Sequence, residues 1–188
     1  MPDEAYWNSF FDAEAMLNKL LPINNNNAVK LMTDDIAEIG SGYGTFTFAA
    51  AKITNGLVHA FDIEAELVEA LTQQSQQLGL LNIKPKLRDI LAEGSGLADN
   101  SLGHVMIYNL LHIEQPELLL KEARRILKPG GTVSVIHWRS DIETPRGPSM
   151  DIRPTPQQCI EFGEVAGFTQ AKIVDLGESA PYHFGLIL

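Results

Sequence analysis

The chain has 188 residues, 45% of them apolar and 20% charged, with a formal net charge of −10. That is enough chain for one domain with a substantial core. So acidic a balance excludes non-specific nucleic-acid binding and attraction to an anionic membrane, both of which need clustered Lys and Arg. Cys159 is the only cysteine, so no internal disulfide is expected, in keeping with a cytoplasmic location. The acidic start, Met1 to Glu4, lacks the basic and long apolar regions of a signal peptide. No apolar run approaches the roughly 20 residues that span a bilayer.

Residues 5 to about 20 carry Tyr6, Trp7, Phe10, Phe11, Met16, Leu17, Leu20 and Leu21; Phe10, Leu17 and Leu21 stand at helical spacing, and the stretch reads as one amphipathic helix. Residues 1–23 are then a candidate lid, with Tyr6 and Trp7 reaching over a substrate. Pro22 and the run Asn24 to Asn27 end it as a loop. Ile36 to Ile39 is a short buried strand. Gly40, Gly42 and Gly44 follow at every second position, and a helix runs from Thr45 to about Ile53. Strand, glycine turn and helix together are expected to bring bare backbone N–H groups to a ligand.

A second strand, Leu57 to Asp62, ends on an acid, and a helix from Ile63 to Leu78 stops at Gly79. Ile83 to Arg88 is a third strand, weakened by Pro85, and Asp89-Ile90-Leu91 leaves it. His104 to Asn109 is the fourth strand. Pro116 opens a helix to Leu127, halted by Lys128-Pro129-Gly130-Gly131. Thr132 to Trp138 is the fifth strand, and a proline-rich segment covers 139–156. A helix spans Gln157 to Ala166, and two last strands, Ala171 to Leu176 and Tyr182 to Leu188, are joined so briefly that they must be antiparallel. Alternating strands and helices predict an α/β fold: a doubly wound, three-layer, mostly parallel seven-stranded sheet with its last strand antiparallel. No second domain is expected within 1–188.

Ligands of such sheets bind beyond the carboxyl ends of the strands, where the strand order reverses. Gly40 to Gly44, Asp62, Asp89-Ile90, Asn109 to His112 and His137 to Arg139 all fall there. Asp62 lies 22 residues after Gly40, close to the spacing at which a carboxylate accepts from two ribose hydroxyls. Asp89 suits an exocyclic amine, with Ile90 over the ring face. His112 is a candidate base. Arg139, Arg146 and Arg153 lie in the proline-rich loop, where an ordered arginine could fork onto a substrate carboxylate or phosphate. Pairing with Asp141, Glu143 and Asp151 as a solvated loop is the competing reading.

Glu38-x-Gly40-x-Gly42-x-Gly44, Asp62, Asp89-Ile90 and Leu127-Lys128-Pro129-Gly130-Gly131 together resemble the class I S-adenosylmethionine-dependent methyltransferases, over about residues 30–138. The resemblance implies a cofactor, S-adenosyl-L-methionine. Gly40, Ser41 and Gly42 would line its methionine part, with Gly44 in the same cofactor-binding loop and Glu38 holding the loop and helping to position the amino group. Asp62 would hold the ribose, Asp89 and Ile90 the adenine, Ile63 would lie against the cofactor, and Asn109 would lie beside the methionine end. The activity it implies is direct in-line methyl transfer to a small acceptor, and the arginine-bearing loop would suit an anionic one. Catalysis would fall to His112, His137 and Arg139, and substrate binding to Tyr6, Trp7, Arg146 and Arg153. No metal is expected. Thr45 stands where a dinucleotide fingerprint has its third glycine, which weighs against NAD(P)-dependent oxidation. That oxidoreductase reading stays open at this point. So do a non-catalytic binding module on the same fold and methylation of a protein side chain. The oligomeric state is not read from the sequence.

Overall fold

The computed structural model describes residues 3–22 and 32–188; the asparagine run at 24–27 lies outside the described residues. Strands β1 (Ile36–Ile39), β2 (Val58–Asp62), β3 (Ile83–Leu87), β4 (Leu102–Tyr108), β5 (Leu127–Trp138), β6 (Lys172–Val174) and β7 (His183–Ile187) form one sheet. Their order is β3-β2-β1-β4-β5-β7-β6. The first five run parallel, and β7 lies antiparallel between β5 and β6. The order reverses between β1 and β4, so the carboxyl ends of those two strands part there and leave a crevice.

Alternation along the strands explains the two covered faces. Ala37 and Ile39 of β1, Val105 and Ile107 of β4, and Val133 and Val135 of β5 share one core. Helices α6 (Pro116–Ile126) and α7 (Pro156–Val165) close it with Leu119, Leu120, Ala123, Ile126 and Cys159. Ile36, Val58, Met106 and Ile136 face the other way, against α2 (Ala13–Leu20) and α3 (Thr45–Ile53), which bury Met16, Leu17, Leu20, Phe46 and Ala50. Helix α4 (Ala65–Gln77) packs on β2 and β3.

The structure departs from the sequence-based expectation in three places. The N-terminal helix is two helices, α1 (Glu4–Asn8) and α2, separated at Ser9 to Asp12. The break arises because the Asp12 carboxylate accepts from the N–H of Ala15, starting a new helix, while its own N–H bonds the Ser179 carbonyl at 2.8 Å. A one-turn helix, α5 (Ile90–Glu93), follows β3, with Asp89 as its cap. Strand β5 begins at Leu127 rather than Thr132. Leu127 already pairs with Leu102, and Gly130, at φ 81°, lets the chain bulge before pairing resumes at His104 and Thr132.

Because Asp12 both starts α2 and anchors the N-terminal segment, Asp12→Ala is expected to lower stability by about 1 kcal/mol. Urea unfolding at unchanged m-value measures it; a change within error would show that Asp12 does not set the break.

Candidate active site

The crevice at the switch point holds a cavity of about 370 Å³. Its floor is the glycine loop after β1. Gly40, Gly42 and Gly44 all have positive φ, at 77°, 52° and 80°, so the loop folds back on itself. The expectation of bare N–H groups is corrected here. The N–H groups of Gly40 and Ser41 both donate to the Phe61 carbonyl, at 2.8 and 2.9 Å. The N–H of Gly42 donates to Asp62 Oδ2 at 2.8 Å, and that of Gly44 to the Ser41 carbonyl at 2.8 Å. The parallel register pairs Ile39 with Phe61. The loop therefore runs alongside the end of β2 and satisfies its donors there. A cradle for phosphate needs those donors free, so this loop is not built for a pyrophosphate.

Gly40 and Gly42 line the cavity. A Cβ on Gly40 would lie 2.7 Å from the Leu110 side chain. Gly44 caps α3, and its missing Cβ makes room for Leu71 and Phe48, at 2.5 and 2.8 Å. Its glycine thus serves helix packing. Ser41 is buried behind the loop, and its hydroxyl has no hydrogen-bond partner among the described residues.

Asp62 stands on the cavity wall. Its Oδ2 holds Gly42, and its Oδ1 accepts from the N–H of Glu64 at 3.0 Å. Each oxygen keeps a further lone pair. Asp89, Ile90 and Leu91 form the wall beyond it, with Ile63 at the rim, 70% exposed. Asp89 Oδ1 caps α5 through the N–H groups of Leu91 and Ala92. Arg88 also lines the cavity and braces this turn by donating to the carbonyls of Glu93 and Gly94.

Asn109, at the end of β4, adopts φ 58°, uncommon for a residue with a side chain. Its carboxamide oxygen and nitrogen are both buried, with no partner among the described residues. Buried polar atoms normally have partners, so this unpaired carboxamide beside the cavity is an unmet hydrogen-bonding need.

Glu38 lies beneath the loop and outside the cavity lining, wholly buried, with its carboxylate accepting from the Thr47 hydroxyl of α3. Burial pushes its carboxyl up to about 8, opposed by the Thr47 hydrogen bond and helped by the charge of Asp62. At neutral pH it is mainly a neutral acid tied to α3 through Thr47.

Of the residues expected at the substrate end, Trp7 lines the cavity, and its ring lies 6.4 Å from that of Trp138. Tyr6 is exposed and packs edge-on against Phe10. His112 and His137 meet, Nδ1 to Nε2, at 3.2 Å. The three arginines are not brought to the cavity lining. Arg139 forks onto Asp141 at 2.9 and 2.6 Å. Arg146 is exposed. Arg153 is buried and donates to the carbonyls of Arg139, Arg146 and Pro148 and to the Thr144 hydroxyl. It lies over the Trp138 ring, 5.8 Å from the centroid. The anion-binding expectation is thus corrected for Arg139 and Arg153: carbonyls and a neighbouring acid already engage their donors.

Sequence reasoning missed Tyr108, Ile113 and Arg88 as lining residues. Their one available signal was adjacency to the strand ends already singled out. Among the described residues, no cluster of three or more His, Cys, Asp or Glu side chains is arranged to hold a metal, and no helix is long and apolar enough to cross a membrane.

A mostly parallel sheet with a cavity at its switch point, walled by Asp62 at the end of β2 and by Asp89 just past β3, puts the fold in the Rossmann-like class. The model of a methyltransferase domain family matches residues 36–131, and the chain belongs to that family, the S-adenosylmethionine-dependent class I enzymes that the motifs resemble. No curated protein sequence matches it. Among solved structures, it is similar to a SAM-dependent methyltransferase from Aquifex aeolicus, with TM-score 0.79 and 22% identity over 98% of this chain and 92% of that one. It is similar to phosphoethanolamine N-methyltransferase 2 from Haemonchus contortus, solved with phosphomonomethylethanolamine and S-adenosylhomocysteine, at TM-score 0.70 and 19% identity over 89% of this chain and 38% of that one. A geranyl diphosphate methyltransferase, solved with SAM, gives TM-score 0.65 and 13% identity over 93% and 82%. These likenesses establish the shared fold.

Glu38 gives a signed test. Its carboxyl ionises near 4.5 when unfolded and near 8 when folded, so the stability it contributes is full below pH 4.5 and is lost as pH rises toward 8. Glu38→Gln keeps an acceptor for Thr47 and removes the titration. Thermal melts from pH 5 to 8 are expected to show wild type losing stability relative to Glu38→Gln; parallel curves would place the carboxyl in the ordinary range.

Proposed function

We propose that the chain binds S-adenosyl-L-methionine in the switch-point cavity and transfers its methyl group to a small acceptor by direct in-line displacement. The observation that carries this reading is Asp62, a wall carboxylate tied to a glycine loop whose own donors are turned inward. That pairing suits a ribose with no pyrophosphate attached. It weighs against a nicotinamide dinucleotide, which needs the loop's N–H groups.

The residues present fit the cofactor. Asp62 accepts from the ribose hydroxyls with the lone pairs left after Gly42 and Glu64. Asp89 keeps Oδ2 for an exocyclic amine, and Ile90 and Ile63 cover the adenine faces. Gly40 and Gly42 give the methionine part close approach. The unpaired Asn109 carboxamide receives its polar groups. Glu38, Ser41 and Gly44 shape the loop from behind. When bound, the cofactor supplies a methyl group already activated by a cationic sulfur.

The chain's own residues then have little covalent chemistry to perform. They align the acceptor and exclude water, and Trp7 is the residue of α1 placed to cover the cavity. With Arg139 and Arg153 engaged elsewhere, a small acceptor needs no anionic group to be held here. The acidic chain and its single buried Cys159 accord with action in the cytoplasm on a small molecule rather than on nucleic acid.

Calorimetry tests the cofactor site. S-adenosylhomocysteine is expected to bind the wild type, NADH to leave no heat, and Asp62→Ala to weaken binding by about 10-fold or more, from lost charge-assisted hydrogen bonds. No binding at millimolar ligand, or equal affinity in Asp62→Ala with its fold intact by circular dichroism, would remove the assignment.

A further inference from the structure

We infer that the methyl acceptor is an uncharged, planar heteroaromatic molecule that accepts through a ring nitrogen, and that Trp7 is the residue that selects it. This deepens the function proposed above and rests on it.

The cavity is divided by charge. Among the described residues, its charged side chains are Asp62, Glu64, Arg88 and Asp89, which stand at the ends of β2 and β3 or in the turns that follow them. From there the strand order leads through the glycine loop after β1 to Tyr108 and Asn109 at the end of β4, and then to Trp138 at the end of β5. Asp62 and Trp138 are three strand spacings apart, roughly 14 Å. With ribose at Asp62 and adenine at Asp89, the methionine part and its sulfur point toward β4. The acceptor's place is then the Trp7 end, where Trp7, Tyr108 and Leu110 line the cavity.

Trp7 is held firmly there. Its ring lies 5.1 Å from Phe11 and 6.4 Å from Trp138. Phe11 is braced by Phe46 at 5.2 Å, and Phe46 by Tyr108 at 4.7 Å. Next to Trp7 in α1, Asn8 Oδ1 accepts from the Thr45 hydroxyl at 2.6 Å, which ties the helix to the residue after Gly44. The indole is therefore a preformed wall.

Such a wall selects against charge and against acceptors that must lose a proton. A carboxylate or an ammonium carried to it would be desolvated without a partner, because Arg139 and Arg153 keep their donors on Asp141 and on loop carbonyls. No base stands free among the described lining residues at this end. The Tyr108 phenol is bonded to Ser134 at 2.7 Å, and burial, opposed by that bond and helped by the charge of Glu38, keeps it protonated. Asp62 holds Gly42 and Glu64 at the other end. His112 and His137 bond each other outside the cavity lining.

An acceptor suited to this place carries a bare lone pair from the start. A pyridine-type nitrogen has one in the plane of its ring, which leaves the ring's flat surface for the indole. That lone pair forms the bond to the methyl carbon, and the pair of the broken carbon–sulfur bond stays on the departing thioether. The positive charge passes from sulfur to the methylated ring, and no proton changes hands. The new cation then lies against Trp7, and indole is the best aromatic partner for a cation.

Fluorine NMR of protein made with fluorotryptophan reads the site without turnover. The chain has two tryptophans, and Trp7→Phe assigns their signals. Isoquinoline is expected to shift the Trp7 signal, both without cofactor and with S-adenosylhomocysteine bound. An isoquinoline with a carboxylate on its far ring is expected to leave it in place. Equal shifts from both, or none from either, would overturn the inference. With S-adenosylmethionine, the wild type is expected to methylate isoquinoline at nitrogen. Transfer to the carboxylate, or to catechol, whose hydroxyl must lose a proton, is expected to be at least about 10-fold slower. Trp7→Leu is expected to lose about 10-fold in kcat/KM on isoquinoline, and Trp7→Phe, which keeps a ring, to recover most of that loss. Catechol methylated as fast as isoquinoline, or an unchanged rate in Trp7→Leu, would overturn it. Those failures leave S-adenosylhomocysteine binding untouched, whereas a wild type that does not bind it removes the cofactor assignment and this inference together.

Discussion

The Asp62 carboxylate ties three parts of the chain together. It ends β2, holds the Gly42 N–H of the loop after β1, and holds the Glu64 N–H just before α4. The Phe61 carbonyl beside it takes two more loop donors. The glycine loop is thus shaped by a neighbouring strand end before any ligand arrives, which is the condition for a preorganised site. Under the function proposed above, it also selects the ligand: a nucleoside whose ribose would meet a carboxylate, and no phosphate that must compete for donors already satisfied.

The far end of the cavity rests on a different device. Trp138, at the end of β5, is covered by Arg153 on one side and lies tilted against His183, with ring centroids 4.0 Å apart. Phe10 and Trp7 of the N-terminal segment close on it, and Asp12 fixes that segment to Ser179. The proline-rich loop therefore works as scaffolding. Its buried arginine gathers the loop's own carbonyls and holds the tryptophan against which Trp7 sits. The insertion of β7 between β5 and β6 makes this arrangement available, because it places His183 opposite Trp138.

Much of this was legible in the sequence because the signals were local. Strands buried on both faces read as apolar runs, and the glycines at every second position, with an acid ending each of the next two strands, marked the crevice. What was not legible depended on partners far along the chain. A glycine loop can turn its N–H groups to a ligand or to a neighbouring strand, and only the pairing of Ile39 with Phe61 decides between them. Arg153 looked like a surface cation because its acceptors are backbone carbonyls, which carry no sequence signature. The break before α2 was hidden because Asp12 fits equally well on the polar face of a continuous helix. Helix α5 is too short to show a period. His112 and His137 were each singled out, but their contact depends on the register of β4 against β5.

The most direct test of the central claim is a crystal structure with S-adenosylhomocysteine bound. The expected result is Asp62 within hydrogen-bonding distance of the ribose hydroxyls while the Gly42 N–H still holds its carboxylate and the Phe61 carbonyl still holds Gly40 and Ser41. A ribose seated away from Asp62, or a loop that releases Phe61 to offer its N–H groups to the ligand, would contradict it.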